Sequence, residues 1–243
     1  MYSDLFSRVY DAFGWNYYPE EFAVLLQRWM EKNQIRVQSM LDIGCGTGVL
    51  CSRMHAYGMD AQGMDLSEGM IAMAKEKYPE LVFEQGNMVT YEGDRQFDLV
   101  TSTCDAMNHI LEPADLQQVM RNVYSYLAPG GYFLFDLLKW EETEECEPVD
   151  LGELDGKRLQ FQIHRTADGL VRLQIEVFEG RQLVHTEVIR ERIYDAERIL
   201  QMLTEAGFSK VRYTDRLLDE ESNAASTWFV IARKEKHGRI ESA

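Results

Sequence analysis

The sequence predicts an α/β protein built on a doubly wound, mostly parallel sheet of seven strands, and three observations predict it. Short apolar runs alternate with helical patterns from residue 39 to residue 138. The first run leads directly into a glycine turn, Gly44-Cys45-Gly46-Thr47-Gly48, that opens a helix. After residue 195 a helix and two further apolar runs follow. Alternating β and α segments of this kind form parallel strands joined by crossover helices.

Each element has its own signal. From about Tyr18 to Glu31, Phe22, Leu25, Leu26, Trp29 and Met30 fall at helical spacing, with Pro19 suited to the first turn. Ser39–Ile43 reads as a short strand, and Val49, Leu50 and Met54 continue beyond the glycine turn as a helix ending at Gly58. The rhythm repeats with strand Met59–Met64, a helix capped by Ser67 and running through Ala74, strand Leu81–Glu84 and strand Phe97–Ser102. The clearest helix is Pro113–Leu127, whose Leu116, Val119, Met120, Val123, Tyr124 and Leu127 make an unbroken stripe. Pro129-Gly130-Gly131 then forces a turn, and the dense apolar run Tyr132–Leu138 reads as a buried fifth strand.

There the alternation breaks. Residues 141–155 carry eight carboxylates (Glu141, Glu142, Glu144, Glu145, Glu147, Asp150, Glu153 and Asp155) and read as a solvated linker. Beyond it, Leu159, Phe161 and Ile163, then Val171, Leu173, Ile175 and Val177, alternate with polar residues, and Leu183–Ile193 follows. These predict a three-stranded antiparallel meander with one buried face, inserted after the fifth strand. A helix capped by Asp195 and stopped at Gly207, with strands Val211–Thr214 and Thr227–Ala232, completes the sheet. The expected organisation is one domain of residues 1–138 and 195–243, carrying an insertion of residues 139–194.

Composition narrows the function. Of 243 residues, 45% are apolar, and 25 Lys plus Arg against 41 Asp plus Glu leave a formal charge of −16. Polyanion binding rests on cationic side chains displacing counterions, so nucleic acid is not an expected partner. No run approaches the roughly 20 apolar residues of a bilayer span, and the opening Met1-Tyr2-Ser3-Asp4 lacks a basic segment followed by an apolar one, so no membrane association is expected. Cys45, Cys51, Cys104 and Cys146 form neither a disulfide framework nor a CxxC pair, which fits a reducing cytoplasm. The methionines occupy packing positions, and no metal is expected.

The glycine turn carries the functional reading. Glycines let the backbone approach a ligand closely, while the helix start offers unpaired N–H groups and a positive dipole end. A dinucleotide fingerprint needs GxGxxG, yet Val49 occupies its sixth position here. Asp65, 21 residues after Gly44, stands where an acidic side chain accepts hydrogen bonds from ribose hydroxyls. A nucleoside without a pyrophosphate satisfies both facts.

Leu41-Asp42-Ile43-Gly44-Cys45-Gly46-Thr47-Gly48 resembles the first motif of the class I S-adenosylmethionine-dependent methyltransferases. Gly63-Met64-Asp65-Leu66-Ser67, Gln85-Gly86-Asn87-Met88, Phe97-Asp98-Leu99-Val100 and Leu127-Ala128-Pro129-Gly130-Gly131 resemble the later motifs in family order. The meander and the Tyr2–Tyr18 segment, with Val9-Tyr10-Asp11, look like small bacterial members related to amino-sugar N-methyltransferases. The resemblance implies a Rossmann-like sheet and S-adenosylmethionine as cofactor. Gly44, Cys45, Gly46 and Gly48 would lie beside its methionine end, Asp65 would hold the ribose hydroxyls, and Leu66 and Met88 would flank adenine. Asn87 would meet the adenine amino group, Asp42 would act near the cofactor's amino group, and Tyr10 or Tyr18 would close over it.

Methyl transfer from an activated sulfonium requires alignment and dryness rather than a nucleophilic residue. Ligands in such folds bind beyond the carboxyl ends of strands, which makes His109 the candidate general base, with Asn108 beside it, just past the fourth strand. Asp136, and His164 and His185 in the meander, are weaker candidates. A packing or capping role is the competing reading for each. Cys104 lacks the preceding proline of cysteine-dependent methyltransferases. The expected activity is methyl transfer to a small molecule, nitrogen favoured over oxygen, with the meander and N-terminal segment around the acceptor. A cofactor sensor without turnover and a protein methyltransferase are the alternatives. The oligomeric state is left open.

Overall fold

The computed structural model describes residues 6–7, 10–93, 95–139, 146–154, 156–166, 168–217 and 227–236. Tyr2, Val9, Glu141, Glu142, Glu144, Glu145 and Asp155, used above, lie outside the described residues. Strands β1 (Ser39–Ile43), β2 (Asp60–Asp65), β3 (Val82–Gln85), β4 (Phe97–Ser102), β5 (Leu127–Leu138), β10 (Ser209–Thr214) and β11 (Thr227–Arg233) form the main sheet. Its order is β10-β11-β5-β4-β1-β2-β3. The pairs from β3 to β5 are parallel, whereas β11 runs antiparallel to both β5 and β10.

Both faces of the sheet are covered, which is why its central strands are apolar on both sides. On one face pack α1 (Tyr17–Lys32), α2 (Val49–Ala56) and α3 (Glu68–Lys77), through Phe22, Leu26, Leu50, Met54 and Ala74 against Met40, Leu99, Leu134 and Phe229. On the other, α4 (Pro113–Tyr126) and α5 (Ala196–Ala206) bring Leu116, Val119, Met120, Ile199 and Leu203 against Leu41, Val100, Phe133 and Phe135. Neighbours in one strand, such as Leu134 and Phe135, thus serve opposite cores. Burying each such side chain contributes about 1.5–3 kcal/mol. The caps agree with the sequence: Ser67 Oγ accepts from Met70 N at 3.3 Å, Asp195 Oδ1 accepts from Arg198 N at 2.7 Å, and Gly207 ends α5 in the left-handed region.

Two expectations need correction. The acidic stretch is not a linker throughout: β6 (Cys146–Leu154) is a fourth strand, at the edge of the sheet formed with β7 (Lys157–Arg165), β8 (Leu170–Glu179) and β9 (Gln182–Arg192). An edge strand turns most of its side chains to water, so carboxylates at Glu147, Asp150 and Glu153 are compatible with it and guard against stray pairing. Nor does Pro129-Gly130-Gly131 precede β5 as a separate turn. It is an irregularity inside the strand, where pairing to β4 shifts between Phe97↔Leu127 and Leu99↔Tyr132, and Gly130 N donates to Lys234 O at 2.9 Å.

The second sheet closes on the N-terminal segment rather than on solvent. Phe6, Tyr10, Phe13 and Trp15 pack with Met70 against Leu159, Ile175, Val177 and Ile189. Tyr10 meets Phe6 edge to face at 5.8 Å and Trp15 at 5.6 Å. Asp11 pins the segment to the glycine turn, accepting from Thr47 Oγ1 at 2.8 Å and pairing with Lys77.

Candidate active site

Strand order reverses at β1, which pairs with β2 on one side and β4 on the other. Such a switch point leaves a crevice at the carboxyl ends of the strands. A cavity of about 440 Å³ lies there, within the range of small-molecule sites.

The three glycines of the turn do different work, although all have positive φ (Gly44 +82°, Gly46 +54°, Gly48 +81°). A Cβ on Gly44 would stand 2.7 Å from Ala106 Cβ, and one on Gly48 would stand 2.6 Å from Phe83 Cζ. Those positions need glycine for packing. A Cβ on Gly46 would meet no atom within 4 Å, and Gly46 lines the cavity, so its bareness leaves room for a ligand. Asp65, at the tip of β2, accepts from Gly46 N at 2.9 Å and from Ser67 N at 2.8 Å. Its carboxylate therefore shapes the turn while facing the cavity, and burial raises its pKa. Leu66, 43% exposed, and Met88 supply an apolar wall, and Tyr10 covers the cavity from the N-terminal segment. Asn87 is also on the wall, with Oδ1 accepting from Val89 N at 2.9 Å to form its own turn.

At the other end, the chain leaves β4 through two residues in the left-handed region, Cys104 (φ +57°) and Asp105 (φ +53°). Such backbone persists only where the surroundings over-determine it. Asp136, fully buried in β5, supplies that constraint: its carboxylate accepts from Cys104 N at 3.1 Å, Asp105 N at 2.8 Å and Tyr18 Oη at 2.6 Å. Burial raises its pKa to about 6, against the lowering effect of those bonds. A single 3-10 turn, Ala106–His109, then carries His109 onto the cavity wall. Its Nε2 lies 3.9 Å from Asp105 Oδ1 and 3.8 Å from Glu191 Oε1 of β9. Burial lowers the imidazole to about 4, so it is neutral at pH 7. Burial pushes both Asp105 and Glu191 upward, and at Asp105 repulsion from Glu191 and Asp136 adds to it. Cys104 also faces the cavity, but burial raises its thiol well above the usual range, so no thiolate stands ready.

Of the residues singled out from sequence, the cavity gathers Tyr10, Gly44, Gly46, Asp65, Leu66, Asn87, Met88 and His109. The others sit behind it. Asp42 is buried, hydrogen-bonded by Thr101 Oγ1 at 2.7 Å, and raised to about 7 by burial. Cys45 turns its sulfur inward, where it restricts Gly63. Gly48 serves packing and the start of α2, and Tyr18 is engaged with Asp136. Asn108 is fully buried: its Nδ2 donates to Arg192 O at 2.7 Å and its Oδ1 accepts from Leu138 N at 3.1 Å. It ties the loop to β5 and β9 rather than facing the cavity. In the meander, His164 is exposed and His185 contacts Glu187 at 3.2 Å. Sequence reasoning named none of Thr103, Val188, Ile189 and Arg190, which complete the wall. Alternation marked the β9 residues as a strand, but no local signal says which sheet edge meets the crevice.

Residues 40–131 match the family model described as a methyltransferase domain. A methyltransferase-named protein of Geobacillus sp. (strain WCH70) is 29% identical over 207 residues, covering 80% of this chain and 84% of its own. The dTDP-4-amino-2,3,4,6-tetradeoxy-D-glucose N,N-dimethyltransferase of Saccharopolyspora spinosa is 28% identical over 180 residues, covering 74% and 68%. An S-adenosylmethionine-bound amino pentose methyltransferase from Micromonospora echinaspora shares the fold with a TM-score of 0.74 at 19% identity, covering 96% of this chain and 98% of that one. No helix of the described residues is long and apolar enough to cross a membrane. The matched segment runs from β1 through the glycine turn, Asp65 and His109 to the start of β5, so the chain carries the sequence of a methyltransferase domain on a Rossmann-like sheet with a β-meander insertion.

Proposed function

We propose that the crevice binds S-adenosylmethionine and passes its methyl group to a small-molecule acceptor, nitrogen favoured over oxygen as the atom methylated. The observation that carries this reading is one cavity lined together by bare Gly46, Asp65 and His109. The residues present fit the cofactor. Gly46 leaves open space where a side chain would intrude, and Asp65 keeps lone pairs for ribose hydroxyls beyond the two backbone N–H groups it already serves. Leu66 and Met88 offer adenine an apolar surface.

The bound cofactor supplies a methyl group on a cationic sulfur, already activated for in-line displacement. The chain's part is alignment and exclusion of water. Tyr10 and Ile189 cover the cavity, and the Asp136 hub fixes the loop that carries His109. His109 is the residue we assign to the acceptor's reacting heteroatom, which it orients across the cavity from the turn. Nitrogen is favoured because the similar Saccharopolyspora spinosa protein is an N,N-dimethyltransferase of an amino sugar.

Calorimetric titration with S-adenosylmethionine and its demethylated product tests the cofactor. Folded protein that binds neither at micromolar concentration defeats the reading. Asp65→Asn exchanges an acceptor for a donor beside Gly46 N or Ser67 N and should weaken binding about 10–100-fold, as loss of a charged hydrogen-bond acceptor does. Labelled methyl transfer across panels of amines and alcohols then separates nitrogen from oxygen, and transfer to alcohols alone would reverse the preference.

A further inference from the structure

We propose that Asp105, His109 and Glu191 form a binding site for a divalent transition-metal cation beside the cavity wall that His109 joins. One ligand atom from each lies within 4.8 Å of the other two. The two distances that meet at His109 Nε2, 3.8 and 3.9 Å, are too long for hydrogen bonds. Around a tetrahedral cation with bonds of about 2.0–2.2 Å, neighbouring ligand atoms stand roughly 3.4 Å apart, so these two edges need close by only about half an ångström.

A second, independent observation points the same way. Glu191 is 7% exposed. Its close polar neighbours among these three are His109, at 3.8 Å, and the like-charged Asp105, neither of which donates a hydrogen bond to its carboxylate at that separation. A buried carboxylate in that condition is costly unless paired or coordinated to a metal. Asp105 adds a second carboxylate at the same point, and Asp136 a third nearby; both Glu191 and Asp136 repel Asp105. A dication offsets two of these charges, which no described cationic side chain does, since no Lys or Arg contacts either Asp105 or Glu191 among the described residues.

The ligand set also has the support a metal site requires. The backbone carbonyl of Arg190 is a hydrogen-bond partner of the His109 ring, the kind of contact that fixes the orientation of a ligating imidazole. The Asp136 carboxylate holds Asp105 through its backbone N–H. One imidazole with two carboxylates suits zinc, cobalt, manganese or iron(II) better than calcium or magnesium, which prefer all-oxygen sites. Three protein ligands leave at least one coordination position for water or a further ligand. Cation binding does not rest on the proposed methyl transfer.

The test uses the full chain, stripped with a chelator, dialysed and titrated with Co²⁺ while visible absorption is recorded. Zn²⁺ calorimetry runs in parallel. Expected are d–d bands saturating at one equivalent, and one calorimetric site at micromolar Zn²⁺. Glu191→Gln and His109→Gln, each checked for folding by circular dichroism, should weaken the affinity at least tenfold. Absence of bands with only millimolar Zn²⁺ binding overturns the proposal. Binding unchanged in both variants also overturns it, by placing the metal elsewhere. Titrating stripped protein with S-adenosylmethionine keeps the two readings apart. Cofactor binding without cobalt bands sinks the metal site alone, and bands at the triad without cofactor binding sink the methyltransferase mechanism alone.

Discussion

Gly46→Ala and Gly48→Ala form a pair in which the same chemical change, two residues apart, should separate folding from binding. Both glycines have positive φ, +54° and +81°, so an alanine at either position costs roughly 1–2 kcal/mol of backbone strain. At Gly46 nothing else is added to stability, since the new Cβ meets no atom within 4 Å. At Gly48 the new Cβ stands 2.6 and 2.8 Å from the Phe83 ring and 3.1 Å from Ala74 Cβ. Phe83 is 4% exposed, with nowhere to retreat, and such overpacking typically costs a further 1–3 kcal/mol or so. For a chain of this size about 1 kcal/mol corresponds to roughly 2–4 °C in Tm. Gly46→Ala should therefore melt about 2–8 °C below wild type, and Gly48→Ala roughly 4–20 °C below. Affinity for the demethylated cofactor should move the other way. The Gly46 methyl enters the cavity and should cost at least about 1.4 kcal/mol, or tenfold, whereas folded Gly48→Ala should bind within about threefold of wild type. Thermal unfolding by circular dichroism and calorimetric titration at low temperature measure the two quantities. Gly46→Ala binding within about twofold of wild type would refute the argument that this glycine is bare to admit a ligand.

Asp42→Asn tests a buried charge. Its folded pKa is about 7 against an ordinary 3.8, so the native state holds a proton that the unfolded chain releases. Stability from this group is full below the ordinary value and is lost as pH rises toward 7, a swing of roughly 4 kcal/mol. The amide oxygen of Asn keeps the Thr101 hydrogen bond, so the variant should lose less Tm between pH 5 and pH 8 than wild type does; an equal slope in the two proteins argues against a buried, neutralised Asp42. Asn108→Ala strands Leu138 N and Arg192 O, at about 1–3 kcal/mol for each. Denaturant unfolding should show that loss, and KM for the acceptor should rise more than Kd for the cofactor, because β9 is the wall that is released. Asp98→Ala is a control remote from the cavity: Asp98 Oδ2 accepts from Gln38 N at 2.9 Å and Ser39 N at 3.1 Å at the amino end of β1. Its removal should lower stability by about 1–3 kcal/mol and leave cofactor affinity unchanged, as the same two measurements will show.

Local signals carried most of the fold and one end of the site. Periodicity needs no partner to be read, because a helix or strand buried on a given face imposes its spacing on its own residues. That is why Ser39–Ile43 and Phe97–Ser102 were legible to the residue, and why the helix at Pro113 was legible to within one residue. Gly44-Cys45-Gly46-Thr47-Gly48 and Asp65 were legible for a related reason, since a turn's backbone demands are written in the turn itself. The sequence could not say which glycine faces a ligand and which faces Phe83 or Ala106, because that depends on side chains 35 to 62 residues away.

Tertiary structure decided the rest. The stretch Cys146–Leu154 is acidic enough to read as solvated linker, and only its pairing with β7 makes it a strand, since an edge strand draws its order from backbone hydrogen bonds rather than from apolar side chains. Asn108 was drawn to the site by its neighbour, yet its amide joins Leu138 and Arg192, contacts that exist only once β5 and β9 lie side by side. Glu191 belongs to a strand whose burial pattern is local but whose neighbours are not. The charge it brings to His109 comes from 82 residues further along the chain. The amino-acid order thus determined the elements, the glycine turn and the class of chemistry. The folding of the insertion over the sheet decided which polar groups converge on His109, because convergence depends on distances that no spacing along the chain encodes.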